Sequence, residues 1–408
     1  MNAGDTAWVL ASSAMVLLMT PALAFFYGGM VRKKNILGIL MQCFILMCVV
    51  SVQWVLVGYS LAFHPGPGFW GGLQWLGLNG VGFTPYPDYA ATIPHQAFMI
   101  FQCMFAVITP ALILGAFAER MKFSAFLLFM VLWATFIYDP VCHWVWGVGG
   151  FLRQMGALDF AGGTVVHVNA GIAALVACLM LGKRRGYEGH AYPPHNVPFI
   201  LLGAGLLWFG WFGFNSGSAL AANGLAVNAF VVTNTAAGAA GLSWALIEWK
   251  MSGKPTTFGV ATGLVAGLVA ITPASGYVNV IGAVCIGLLV SVFCFFMVTL
   301  VKSKFGYDDS LDVFGVHGVG GIWGALATGL FATKSINPAG ADGLFYGNPG
   351  QLAIQAAAVG ITMVYSALGT FMICLLVKSI TGLRVDEKEE HMGLDITQHH
   401  ERAYTVIE

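Results

Sequence analysis

The stretch GALDFAGGTVVHVNAG, Gly156 to Gly171, decides the fold, because it sets an aspartate, Asp159, and a histidine, His167, in a segment that otherwise reads as membrane-buried. Ionisable groups are costly in hydrocarbon and, where they occur, face a bundle interior or a conduction path. A second stretch, LDVFGVHGVGGIWG from Leu311 to Gly324, repeats the plan with Asp312, His317 and a similar crowd of glycines. Asp159, His167 and His317 are therefore functional candidates, in a chain built to bring two histidines together.

Outward from these stretches, 58% of the chain is hydrophobic and only 9% charged, against about a quarter charged in soluble domains. This is an integral membrane protein. Apolar runs near 20 residues recur along the whole length, the mark of helical spans rather than of the alternating strands of a membrane barrel. The fold class is thus an all-α polytopic membrane protein. Runs fall at about 6–29, 36–63, 94–118, 123–146, 159–182, 197–217, 225–249, 256–272, 279–301, 311–332 and 350–381, giving eleven transmembrane helices. A formal net charge of zero gives no reason to expect nucleic acid or an acidic ligand. The eight cysteines lie in or at the ends of apolar runs with no CxxC spacing, and read as small packing residues without redox meaning. Asp5 but no Lys or Arg precedes the first run, so a retained first helix is expected rather than a cleaved signal peptide.

Orientation follows from the excess of Lys and Arg in cytoplasmic connectors. One alternating set of connectors holds Arg32, Lys33, Lys34, Arg120, Lys122, Lys183, Arg184, Arg185, Lys250, Lys254, Lys302 and Lys304, and the opposite set only Arg153 and Lys334. With Lys378, Arg384, Lys388 and Arg402 near the C-terminus, 16 of the 18 basic residues fall on one side, which places the N-terminus outside and the C-terminus inside. The two histidine-bearing runs each close a five-helix half, about 1–182 and 197–332, ahead of a final long helix at 350–381. An odd number of helices gives the halves opposite orientations, an inverted repeat that brings residues deep in one half near their counterparts in the other. The 53 glycines permit close helix approach, which tight packing and a narrow pore both require.

The outer connector 64–93, with Pro65, Pro67, Trp70, Trp75, Pro85, Tyr86, Pro87 and Tyr89, reads as an ordered interfacial loop. Residues 383–408 form the one charged, soluble segment, a cytoplasmic tail that is a candidate regulatory or partner surface. Its His399–His400 pair lacks a third ligand at helical spacing and reads as solvated rather than metal-binding.

Several stretches together resemble the ammonium transporter family, the Amt/Mep/Rh proteins: FYGGMVRKKN (26–35), AERMKFSA (118–125), HWVWGVGG (143–150), GALDFAGGTVVH (156–167), GWFGFNSGSA (210–219), ITPASGY (271–277), DVFGVHGVGG (312–321) and GLDITQH (393–399). The resemblance covers essentially the whole chain. It implies a bacterial or archaeal Amt-type transporter of the cell membrane, a homotrimer of eleven-helix subunits, each with its own pore. Residues 1–382 would be the transmembrane domain and 383–408 the regulatory tail. It further implies an outer recruitment site of Trp146, Phe101, Phe105 and Ser218, with Asp159 just below it. Aromatic faces attract a cation by about 0.5–2 kcal/mol each, and a hydroxyl oxygen can accept an ammonium N–H. By the same resemblance Phe105 and Phe214 form a stacked gate, Trp211 lines the pore, and His167 and His317 are twin midplane histidines. Asp159 could support the cation electrostatically or hold its loop by accepting backbone N–H bonds; Asp312 could do comparable work inside or be a structural cap. The tail GLDITQHHERAY implies regulation by a trimeric P-II signalling protein.

Burial disfavours imidazolium, leaving two neutral rings that can share one hydrogen and offer donor and acceptor sites to a small molecule. Carrying an unpaired cation through an apolar constriction costs several to tens of kcal/mol, whereas removing a proton from ammonium, with a solution pKa of about 9, costs only about 3 kcal/mol at pH 7. The expected function is ammonium transport: ammonium, or its analogue methylammonium, is recruited outside, deprotonated, passed as ammonia along the histidines and re-protonated inside. Co-transfer of the proton would make it electrogenic. No enzyme activity, cofactor, metal or nucleic acid is implied. Two rival readings remain, an ammonium sensor of the same fold without appreciable flux and a membrane oxidoreductase with His167 and His317 as axial haem ligands.

Overall fold

A computed structural model describes residues 1–187 and 192–404. Among these residues the chain is all-helical, with isolated β-bridges and no strand. Among the described residues, ten helices are long and apolar enough to cross a membrane. They are α1 (Ala3–Met30), α2 (Ile36–Phe63), α3 (His95–Ala116), α4 (Phe123–Trp146), α5 (Gly163–Leu181), α6 (Val197–Gly217), α7 (Gly224–Ser252), α9 (Val280–Phe305), α10 (Phe314–Phe331) and α11 (Pro349–Thr381). Between α7 and α9 runs a shorter apolar helix, α8 (Thr257–Ile271), at the position of the eighth expected span. At 15 residues it is about 22 Å long, less than the roughly 30 Å hydrocarbon layer.

Helix ends are set by local chemistry. Asn2, Asn196, Asn223, Thr256 and Asn279 each accept an N–H of the first turn of α1, α6, α7, α8 and α9. Gly182 and Gly253 end α5 and α7 with positive φ. The interior is packed from α3 outward: 89% of its most apolar window is buried, against 33% for α9 and α11, whose outer faces carry exposed Phe, Leu and Ile. α1 packs along α6, and α5 crosses α10.

Connectors gather at two ends of the bundle. At one end Asp5 accepts the Ala222 N–H (2.9 Å), Asn2 donates to Thr92 (2.7 Å), Phe160 to Pro273 (3.1 Å) and Thr333 to Tyr277 (2.9 Å). The connector after α2 is ordered there, with Trp75, Tyr86 and Tyr89 packed among Tyr59, Phe63 and His95. At the other end Arg184 bridges Glu119 (3.0 Å) and Asp308 (2.7 Å), Glu119 also pairs with Arg32 (3.0 Å), and buried Arg120 donates to carbonyls and to Ser310. The tail lies across this end rather than trailing free. Asp395 accepts the Gly38 N–H (2.9 Å) at the start of α2, and Gln398 accepts that of Phe123 (3.1 Å) at the start of α4. His399 packs edge-on against Phe123, so this histidine is spent on packing. All eight cysteines are free; six are buried, while Cys48 is exposed and Cys285 half-buried.

Candidate functional site

A vestibule of about 420 Å³ opens between the connectors at the Asp5 end. Phe105 from α3, Trp146 from the end of α4, Ser218 from the end of α6 and Asp159 from the loop before α5 all line it. Trp146 is fixed by its indole N–H, which donates to the Asp159 carbonyl at 2.8 Å. Ser218 donates its own proton to the Phe214 carbonyl at 2.8 Å, leaving hydroxyl lone pairs to accept from a guest. Phe101, expected as part of this cage, sits behind it: its ring is fully buried and packs edge-on to Phe105 at 5.0 Å without reaching the vestibule wall. Four residues apart on α3, the two phenyls share a face, but only Phe105 reaches the opening.

Asp159 is buried with both carboxylate oxygens occupied. Oδ1 accepts from Gly162 (2.8 Å) and Gly163 (2.6 Å), and Oδ2 from Thr164 (2.8 Å) and Val165 (3.1 Å). It thus caps the first turn of α5, a π-helical turn spanning Gly163–Val168 that carries His167. Gly162 turns the chain into it at φ +109°, where a Cβ would press on Val166 and the Trp146 indole.

The second half carries a slighter cap, one N–H bond in place of four, on a different aspartate. Asp309, not Asp312, accepts the Phe314 N–H (2.7 Å) at the start of the π-helical turn Phe314–Gly318 that carries His317. Asp309, and not the expected Asp312, is thus the counterpart of Asp159. Each capping carboxylate stands eight residues before its histidine, a spacing visible in the chain but masked by the repeated Leu-Asp pair. Asp312 instead accepts from Lys302 Nζ at 2.6 Å, with its backbone at φ +59°.

Below the vestibule Phe105 and Phe214 close the way, ring centroids 4.3 Å apart. Beneath them lie two slots of about 10 Å³ each, one lined by Phe214, Trp211, His167 and His317, the next by His317, Tyr27, Leu311 and Asp312. Each holds about one small molecule. His167 and His317 stack at 5.3 Å and 17°, with their Nδ1 atoms 3.3 Å apart. One Nδ1 must donate and the other accept, which two imidazolium rings could not do. Trp211 stacks on His167 at 5.5 Å, its indole N–H donating to Thr272 Oγ1 (2.8 Å), a partner that sequence reasoning missed. The rings can approach because α5 and α10 cross at glycines: a Cβ on Gly171 would strike the Gly318 backbone. With the rings in direct contact there is no slot for iron and a porphyrin between them, which removes the haem reading.

Residues 7–404 match the profile of the family described as Ammonium Transporter Family. The chain is 54% identical over 404 residues to the ammonium transporter of Bacillus subtilis, covering 99% of each chain, and 46% identical over 407 residues to ammonium transporter Amt1 of Archaeoglobus fulgidus, covering 99% of this chain and all of the other. In structure it resembles Mep2 of Saccharomyces cerevisiae, with a TM-score of 0.89, 35% identity, and 95% and 89% of the two chains covered. A solved structure named Sensor Amt Protein gives a TM-score of 0.88 at 30% identity, with 97% and 98% covered.

Proposed function

The chain belongs to the ammonium transporter family, a family of multi-pass membrane transporters rather than enzymes, and transports ammonium; from that premise we propose that it strips a proton from ammonium before the constriction and passes ammonia along His167 and His317. The observation carrying this reading is the pair of directly bonded imidazoles in slots that hold one small molecule. Trp146, Phe105 and Ser218 collect the cation; Phe101 backs Phe105, and Phe214 and Phe105 exclude hydrated ions until their rings swing. Asp159 acts by holding the Gly162–Val165 backbone and thereby the Trp146 indole, since its oxygens are already shared among four N–H groups. Below the rings ammonia takes a proton from water on leaving, and the proton given up above either returns to the outer water or crosses along the histidines or a water chain. Charge moved per methylammonium taken up in proteoliposomes tests the fate of the proton: a ratio near zero rules out co-transfer, a ratio near one rules out passage of the uncharged gas alone.

Eleven crossings complete the architecture. The connectors on either side of α8 sit with opposite ends of the chain's alternation, and the capping pair Asp159 and Asp309 supports an inverted repeat of 1–182 and 197–332 ahead of α11. The basic end then faces the cytoplasm, in a homotrimer of the cell membrane. The tail, 383–408, offers the surface for a trimeric P-II signalling protein; unchanged uptake when a cognate partner is added under its binding conditions would count against this. A sensor reading is favoured by one observation, the likeness to the Sensor Amt Protein. Ammonium binding retained without methylammonium uptake would establish it in place of transport.

A further inference from the structure

Trp146 is held by its backbone as well as by its indole. Its carbonyl belongs to the last turn of α4, where no helical N–H is available to it, and Gly147 leaves the helix with extended backbone. The chain then turns and forms one short helix, Phe151–Met155, which brings Arg153 back to that helix end. Arg153 Nη1 donates to the Trp146 carbonyl at 2.7 Å, and among the described residues nothing else donates to that oxygen. The guanidinium also reaches the Asp88 carbonyl at 3.4 Å and lies over the Tyr89 ring at 5.8 Å.

This placement needs a reason. Among the described residues Arg153 is the only Lys or Arg on the vestibule wall, where its charge has the same sign as the substrate. The carboxylates of Asp88 and Asp159 belong to the same wall, so the opening is not left net positive. A cation suits the C-terminal end of a helix, where carbonyls are unpaired and the dipole is negative. We propose that Arg153 is a positioning residue for ammonium recruitment: bonded to the Trp146 carbonyl, it caps α4 and holds the indole at the angle at which it meets the cation. The proposal rests on Trp146 being the wall of the outer site. Charge and clamp then pull in opposite directions, which makes their signs separable. Deleting a clamp weakens capture, whereas deleting a repelling charge strengthens it.

The test is methylammonium uptake by the full chain in proteoliposomes, with KM and Vmax measured for wild type, Arg153→Ala, Arg153→Lys and Trp146→Leu. Expected is a rise in KM of about threefold to tenfold in Arg153→Ala with Vmax unchanged, the scale of one exposed charge-assisted hydrogen bond. Arg153→Lys, which keeps a donor and the charge, returns KM to within about twofold of wild type. An unchanged or lower KM in Arg153→Ala, a loss confined to Vmax, or a lysine that restores nothing would overturn the proposal. Trp146→Leu separates the two layers. A raised KM there without one in Arg153→Ala removes the role of Arg153 alone; an unchanged KM in Trp146→Leu removes the outer-site reading and this proposal with it.

Discussion

Asp159 does by hydrogen bonding what a buried carboxylate in a membrane protein is more often assumed to do by charge. Four N–H groups converge on Asp159 within 3.1 Å, and each bond to a charged acceptor is worth about 1.5–3 kcal/mol. Asp159→Ala is therefore expected to abolish methylammonium uptake and to lower thermal stability by several kcal/mol in the same preparation. Asp159→Asn keeps one carbonyl oxygen for the four donors and should fall between, with uptake impaired and stability partly kept. A stable Asp159→Ala protein that has lost only transport would point instead to direct contact with the cation. Much of this was legible from residue type: an aspartate eight residues before a histidine in an apolar run is a functional candidate by cost alone. The choice between electrostatic and backbone roles was not, because it depends on which N–H groups the loop turns inward. Asp309 is hidden in the sequence because Leu311-Asp312 repeats Leu158-Asp159 in letters, while the cap is repeated in spacing. Phe101 shows the same limit: four-residue spacing puts it on the face of Phe105 but says nothing of depth.

Helices rather than loops set the distance between the histidines. α5 and α10 meet at Gly171 and Gly318, and a methyl group on Gly171 has no room without separating the two backbones. Gly171→Ala is expected to destabilise the protein by about 1–3 kcal/mol through overpacking and to cut uptake severely by parting the rings; near-normal uptake in a fully stable variant would show that ring contact is dispensable. At the opposite end of the helices the tail completes what α2 lacks. Asn35, at the N-terminal end of α2, turns its side chain to Glu119 and Leu394, so Asp395 from the tail supplies the acceptor for Gly38. Asp395→Ala should cost about 1 kcal/mol, as lost caps do, and speed hydrogen exchange of the first-turn amides of α2, leaving the histidine-bearing helices protected. Helix positions were readable from hydropathy to within a few residues. The π-helical turns were not, since one extra residue per turn leaves no mark on an all-apolar run, and tail docking was hidden because a charged segment looks alike in solvent or against a partner.

On the scale of the whole molecule, one end is locked by ion pairs and the other shaped as a receptor. Burial alone would raise the carboxyls of Glu119 and Asp308, but Arg184, aided by Arg32 and Arg120, outweighs it and holds both below the ordinary carboxylate range. Groups held low in this way add stability that is complete above their unfolded pKa of about 4 and is lost as pH falls through the lowered values. Thermal unfolding in detergent should accordingly be insensitive to these groups between about pH 5 and 7 and drop at more acid pH. Arg184→Ala, which strands the buried Asp308 carboxylate and leaves Glu119 paired to Arg32 alone, should cost about 3–5 kcal/mol at neutral pH; an unchanged melting temperature would mean the cluster is not a lock. The alternation of basic connectors anticipated this clustering of charge at one end, though not which pairs would form, because partners there come from connectors far apart in the chain.

The central claim is that nitrogen crosses the constriction without its charge, and potassium tests it most directly, being similar to ammonium in size and charge but having no proton to give up. Vesicles carrying the purified protein, loaded to report potassium flux and methylammonium uptake side by side, should accumulate methylammonium while passing no more potassium than protein-free vesicles. A potassium flux that saturates, and that Trp146→Leu weakens together with methylammonium uptake, would mean that an intact cation travels past His167 and His317.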